Sequence, residues 1–102
     1  MITSEDYFGR VSHIAKPDES VQHEAHILLT RVNALLASLG AKPGVNSGWR
    51  PAAYNATVPN AAPRSKHITG QAIDLADPEG EIDEYLLAHQ DVLAAHELWL
   101  EH

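Results

Sequence analysis

A chain of 102 residues with 44% hydrophobic and 21% charged residues has the length and composition of one globular domain with a single core. It contains no cysteine, which excludes disulfides and thiolate zinc sites, so any metal site must use His, Asp or Glu. Its net charge of −7, with seven scattered Lys and Arg residues, argues against a nucleic-acid partner, since a phosphate backbone needs a clustered cationic face.

The sequence shows no signal for membrane insertion or secretion. No apolar run approaches the roughly 20 residues that a membrane span needs. The first six residues are acidic where a signal peptide would be basic, and no apolar stretch follows them. We therefore expect a protein without a membrane span that is cytoplasmic as synthesised.

The first half of the chain is predicted to be helical. Thr3 followed three positions later by Asp6 is typical of a helix N-cap, which predicts a short helix over residues 4–11. Apolar residues then recur at helical spacing from Val21 to Leu39, and Gly40 stands in the C′ position that ends many helices. Residues 1–19 are interpreted as an N-terminal extension to this single domain.

The second half is predicted to alternate short strands with helices. Residues 58–66 contain two prolines and are expected to form an irregular loop, and Asp77–Gly80 has the residues of a tight turn. We predict strands over 45–49, 71–76 and 98–101, a helical turn over 52–56, and helices over 81–89 and 90–96. Helices followed by short strands indicate an α+β fold, with the N-terminal helices packed on a small antiparallel sheet.

The stretch of residues 65–75 holds the residues best suited to a site. His67 and Asp74 stand seven positions apart, and the alternation around Asp74 predicts a strand that buries Ile73 and Leu75 and exposes the carboxylate. Gly70 can adopt a positive φ and fold the loop that carries His67 back over the strand. The two side chains would then converge on a metal ion. An ordinary surface pair of His and Asp is the alternative.

Two segments together resemble a known family. Ser47-Gly48-Trp49-Arg50 and the Ser-x-His-x-x-Gly-x-Ala-x-Asp pattern over 65–74 are similar to motifs of the zinc D-Ala-D-Ala carboxypeptidases and endolysin peptidases of family M15. That group shares its fold with the Hedgehog signalling domain. The resemblance covers residues 20–102 and is closest to the small single-domain phage members. It implies a Hedgehog/DD-peptidase-like fold with a Zn²⁺ cofactor.

The resemblance also implies roles for individual residues. His67 and Asp74 would be metal ligands, and Arg50 would lie in the cleft and bind substrate or the oxyanion. Ser65 would hydrogen-bond the substrate or a residue beside the metal ligands, and Gln71 would line the cleft as a second substrate-binding residue. The alternatives are that Arg50 forms a structural ion pair, for example with Asp74, and that Ser65 only caps its loop.

The third metal ligand is where the sequence departs from the family. The family places its last ligand in a Trp-x-His segment with the catalytic acid nearby, whereas here His102 follows Trp99 by three residues and Glu101 lies beside it. The interval from Asp74 is short for the family, so we expect a chain cut before its final motif. Residues 100–102 could also belong to an affinity tag. With two ligands, we expect weak zinc binding and a poorly activated water.

These implications lead to one favoured function and two alternatives. We expect a zinc-dependent peptidase, or a fragment of one, that cleaves cross-links or stem peptides of bacterial peptidoglycan in phage lysis. A monomer that reaches the wall through a partner pore would fit this interpretation. The alternatives are a non-catalytic phage structural or assembly module and a domain that binds zinc for stability. The sequence leaves open whether the D-Ala-D-Ala bond or the bond from L-Ala to a D-amino acid is cut.

Overall fold

The computed structural model describes residues 1–9, 11 and 15–100, and its architecture is α+β. Within these residues, the regular structure consists of five helices and one two-stranded sheet. In chain order the elements are α1 (Ser4–Phe8), α2 (Glu19–Leu39), β1 (Val45–Ser47), α3 (Ala52–Asn55), β2 (Asp74–Leu75), α4 (Glu81–Ala88) and α5 (Gln90–Ala95). In the described part of the chain, no helix is long and apolar enough to cross a membrane.

The caps of the first two helices follow the sequence. Thr3 and Asp6 form a reciprocal capping box at the start of α1. The helix ends at Phe8, before the predicted end at residue 11, and the N–H of Gly9 still donates to the carbonyl of Glu5 at 2.7 Å. Helix α2 begins two residues before the predicted start, since the Asp18 carboxylate accepts the N–H of Val21 at 2.8 Å. Gly40 ends α2 in the left-handed conformation at φ 68°.

The sheet is antiparallel but shorter than predicted. Val45 pairs with Leu75 and Ser47 with Asp74, with an irregularity between the two pairs. The strand predicted over 45–49 ends at Ser47, because the N–H of Trp49 donates to the carbonyl of Tyr7 at 3.2 Å. The strand predicted over 71–76 forms only at Asp74–Leu75, and the N–H of Gln71 donates to the carbonyl of Lys66 at 2.9 Å within its own loop. The strand predicted over 98–101 is wrong for residues 98–100, which lie outside any strand, and residue 101 is outside the described residues.

The core consists of two clusters on the buried face of α2. The larger cluster contains Ile2, Tyr7, Val11, Ala25, Leu29, Val32, Leu36 and Trp49. The smaller cluster packs Leu35 against Leu86 of α4 and Leu93 of α5. The N-terminal segment that the sequence suggests is an extension therefore contributes to the main core. Ile73 and Leu75 pack against the larger cluster, as the alternation around Asp74 predicts.

The turn before α4 forms as its residues predict. The N–H of Gly80 donates to the carbonyl of Asp77 at 3.0 Å, and Gly80 has a φ of 71°. The Asp77 carboxylate also accepts the N–H groups of Ile82 at 3.2 Å and Asp83 at 2.9 Å, so it caps α4 from outside the helix. Each of the two helices that follow ends one residue before its predicted end.

Candidate functional site

His67 is a buried side chain whose two ring nitrogens have different partners. The residue is 4% exposed, and Nδ1 lies 2.8 Å from the carbonyl oxygen of Gly48. A carbonyl only accepts hydrogen bonds, so Nδ1 carries the proton in this contact. Nε2 points the other way and lies 3.3 Å from Oδ2 of Asp74. In the neutral ring, Nε2 therefore presents its lone pair to the carboxylate, the arrangement common in metal-bound histidines.

The distance between Nε2 of His67 and Oδ2 of Asp74 fits a shared cation. Two electron-pair donors at 3.3 Å repel each other unless a proton or a metal ion lies between them. Zinc bonds of 2.0–2.2 Å at a tetrahedral angle place neighbouring ligand atoms about 3.4 Å apart. The pair therefore has the donor types and the spacing of two zinc ligands.

Asp74 keeps its negative charge in this environment. When Nε2 of His67 also carries a proton, its hydrogen bond lowers the pKa of the Asp74 carboxyl, partial burial acts in the opposite direction, and the positive charges of the imidazolium and of Arg50 lower it further. The Asp74 side chain is 59% exposed, whereas that of His67 is 5% exposed. The pair thus joins an anchored imidazole to an ionised carboxylate that solvent and ligands reach.

The segment Gly48–Arg50 holds the loop that carries His67. Besides the bond from His67 to Gly48, the indole Nε1–H of Trp49 donates to the carbonyl of Ile68 at 2.9 Å. The backbone N–H of Arg50 donates to the carbonyl of His67 at 3.1 Å. The two sequence segments that suggest the family are therefore bonded directly to each other.

Gly48 is required by the close approach of Tyr7. A Cβ at position 48 would lie 2.1 Å from the carbonyl oxygen of Tyr7 and 2.8 Å from its ring. Tyr7 is 2% exposed, and its hydroxyl donates to the carbonyl of Ala72 at 2.7 Å. Burial raises the pKa of Tyr7, so the hydroxyl remains a neutral donor. Tyr7 thus contacts the first segment at Gly48 and the second at Ala72, and so fixes the distance between the two segments.

Gly70 shapes the loop between the two candidate ligands. Its φ is 79°, as predicted, and it packs against α2 so closely that a Cβ would lie 2.7 Å from the carbonyl oxygen of Val21. The loop can return towards β2 only because this position has no side chain.

Arg50 contributes positive charge near the pair without a direct ion pair to it. In the described part of the chain, the ion pairs within 4.0 Å are Arg31 with Glu97 and His67 with Asp74. The alternative interpretation of Arg50 as the ion-pair partner of Asp74 is therefore not what the structure shows. Arg50 is half-buried, and its charge still lowers the pKa of Asp74.

The two predicted substrate-binding residues lie in different surroundings. The hydroxyl of Ser65 accepts the backbone N–H of His67 at 3.1 Å, which is the contact of a loop cap. Gln71 is exposed; its amide donates to Glu24 at 3.3 Å and its carbonyl oxygen accepts the hydroxyl of Thr69 at 2.7 Å. Gln71 and Asp74 both line a groove of ≈ 380 Å³, whose floor comes from α2, α4 and α5.

The described residues supply two of the donors that a zinc site needs. No group of three or more His, Asp or Glu side chains with metal-binding geometry occurs among residues 1–9, 11 and 15–100. The predicted third-ligand candidates, Glu101 and His102, lie outside the described residues. The sequence did not predict the role of the Gly48 carbonyl, because every residue has a backbone carbonyl and its residue type does not indicate which one accepts the bond.

Comparison with known proteins assigns the class. The sequence pattern of the peptidase M15 family matches residues 8–94, a span that includes both segments and the whole pair. The chain belongs to the peptidase M15 family. No curated protein and no solved structure matches it.

Proposed function

We propose that this member of the M15 family is a zinc-dependent peptidase that acts on stem peptides or cross-links of bacterial peptidoglycan. In this proposal it has a Hedgehog/DD-peptidase-like fold and serves in phage lysis. The observation that carries the proposal is the 3.3 Å approach of His67 Nε2 to Asp74 Oδ2, with Nδ1 held by Gly48. The family match supports the reaction class, since it spans both residues.

The residues of the pair would hold the metal in different ways. The bond from Nδ1 to Gly48 keeps the His67 ring from turning, so Nε2 stays directed at the metal position. The ionised Asp74 adds negative charge on the exposed side of the site. Bound zinc would polarise the scissile carbonyl of the substrate and lower the pKa of a water molecule bound to the metal.

The other predicted residues would act on the substrate. Arg50 would bind a substrate carboxylate or the oxyanion, because its charge acts on the site without an ion pair in the described part of the chain. Gln71 would contact the substrate along the groove that it shares with Asp74. Ser65 would act indirectly, through its hydrogen bond to the backbone of His67. Glu101 and His102 remain candidates for the third ligand and the general base.

A second candidate function follows from the number of donors. Because the described residues supply two ligands, a module that binds wall peptides without cleaving them, or that uses zinc for stability alone, is the competing proposal. In both alternatives His67 and Asp74 still bind the metal together, but no peptide bond is hydrolysed, in contrast to the zinc-dependent peptidase proposed above.

Zinc titration by calorimetry, followed by hydrolysis of purified peptidoglycan, separates these functions. We expect His67→Ala and Asp74→Ala to abolish the zinc signal, and His26→Ala, at an exposed position on α2, to leave it unchanged. Zinc-dependent release of peptides that is lost in Arg50→Ala would establish the peptidase. Zinc binding without release would favour the non-catalytic module, and zinc binding unaffected by either alanine would place the metal elsewhere.

A further inference from the structure

A buried side-chain amide beside the candidate site has one half of its hydrogen-bonding capacity unused. Asn55, the last residue of α3, is 2% exposed. Its Nδ2 donates to the carbonyl of Ala62 at 2.8 Å and so holds the loop of residues 58–66 against α3. Because a carbonyl only accepts, the amide nitrogen must face Ala62, and Oδ1 points away from that carbonyl.

Oδ1 of Asn55 has a complementary atom in the same segment. Among the described residues, two buried side-chain polar atoms have no hydrogen-bond partner, and these are Oδ1 of Asn55 and Nε of Arg50. The first is an acceptor and the second a donor. Buried polar atoms are rarely left unpaired, because each loses its hydrogen bonds to water on folding.

The local backbone keeps the two residues close together. The N–H of Asn55 donates to the carbonyl of Pro51 at 2.8 Å, which brings Asn55 back against the residue that follows Arg50. The backbone of Arg50 is itself fixed by its bond to the carbonyl of His67. The freedom that remains is in the Arg50 side chain, whose direction decides where its charge lies.

We propose that Asn55 is a positioning residue for Arg50: one bridging water accepts the Nε–H of the guanidinium and donates to Oδ1 of Asn55. This rests on the proposed function, in which Arg50 binds the substrate. A guanidinium carries five N–H donors, so fixing Nε–H leaves those on the two Nη atoms free for a substrate carboxylate or oxyanion. Asn55 would then hold both the loop before His67 and the cation beside Asp74.

Solvent exchange of the arginine Nε–H, followed by ¹⁵N NMR on the zinc-free full chain, tests the pairing. We expect the Arg50 Nε–H to exchange about tenfold or more slowly than that of the exposed Arg64. Asn55→Ala should bring the Arg50 rate to that of Arg64. Asn33→Ala is the matched control, since it removes an amide that binds Ile2 at 2.8 and 2.9 Å, and it should leave the Arg50 rate unchanged.

Asn55→Asp separates the donor role of the side chain, towards Ala62, from its acceptor role, towards Arg50. It also provides a second test if Asn55→Ala does not fold. An aspartate keeps the acceptor for Arg50 but cannot donate to Ala62 when ionised. We expect the Arg50 Nε–H to stay protected in this variant. Fast exchange in the wild-type chain or in Asn55→Asp, or protection that survives in Asn55→Ala, would overturn the proposal. None of these measurements uses zinc or hydrolysis, so their failure is distinct from that of the proposed function.

Discussion

Nδ1 of His67 and the carbonyl oxygen of Gly48 lie 2.8 Å apart, and this bond joins two segments that are 19 positions apart in the chain. It fixes which ring nitrogen is protonated before any ligand arrives. The orientation of Nε2 is therefore set by the fold, and a metal ion would not have to reorder the ring. The predictions below test the contacts that maintain this arrangement.

Gly48→Ala should destabilise the protein strongly, because the new Cβ would lie 2.1 Å from a backbone carbonyl of the buried Tyr7. We expect the loss in free energy of unfolding to reach or exceed the upper end of the roughly 1–3 kcal/mol typical of overpacking. Urea unfolding followed by circular dichroism measures it. Gly44→Ala is the control: its Cβ would meet nothing closer than 3.9 Å, so a comparable loss there would refute this explanation.

Gly70→Ala and Gly40→Ala should differ although both glycines have a positive φ. At Gly40, with φ 68°, no atom lies within 4 Å of the added Cβ, so we expect only a backbone cost of about 1–2 kcal/mol. At Gly70 the Cβ would also approach the carbonyl of Val21 to 2.7 Å. The additional loss should be about 1–3 kcal/mol. Equal unfolding midpoints for Gly70→Ala and Gly40→Ala, in heat or urea, would show that α2 moves away from the added Cβ and would contradict this explanation.

Trp49→Phe should cost about 1–3 kcal/mol, because it leaves the carbonyl of Ile68 without the indole donor now at 2.9 Å. The substitution keeps an aromatic ring against Phe8, whose centroid lies 5.8 Å away, so most of the packing is retained. Trp99→Phe, at a side chain 72% exposed, should change stability by less than about 0.5 kcal/mol. Amide exchange should also become faster at residues 67–69 in Trp49→Phe alone.

Asp74 should contribute a pH-dependent part of the stability of the zinc-free protein. Its pKa is lower in the folded state than the usual value near 4, so the folded state favours the ionised form. The resulting stabilisation is present above about pH 4 and is lost as the pH falls through the folded pKa. The stability difference between wild type and Asp74→Asn should therefore shrink on acidification. Glu79→Gln, which removes one charge at an exposed position, is the control. If its stability difference from wild type shrinks equally on acidification, the pH dependence does not arise from Asp74.

The helices could be predicted from sequence because their signals are local. The Thr3 and Asp6 capping box and the glycine that ends α2 each act within a few residues, and both appear in the structure. The extent of the strands was not predictable in this way. Residues beyond Ser47 have strand-like composition, but their backbone groups bond to Tyr7 and His67, which are remote in sequence.

The candidate site shows the same division between local and remote information. The sequence around Gly70 predicts its positive φ and the convergence of the His67 and Asp74 side chains. In the structure both are present, with the two side chains 3.3 Å apart. Their metal-binding role stays a prediction. The carbonyl of Gly48 and the buried amide of Asn55 depend on contacts across loops, so no residue pattern indicates them.

The position of Tyr7 has a consequence for the smallest piece of this chain that can fold. The family match begins at residue 8, one position after this buried tyrosine. A protein cut at that boundary would lose the ring and the carbonyl that support Gly48, together with the hydroxyl bonded to Ala72. The span recognised by homology and the cooperative folding unit are therefore different lengths of chain. Expression from residue 8 should yield an unfolded or aggregating product, even though both motif segments, residues 47–50 and 65–74, are still present.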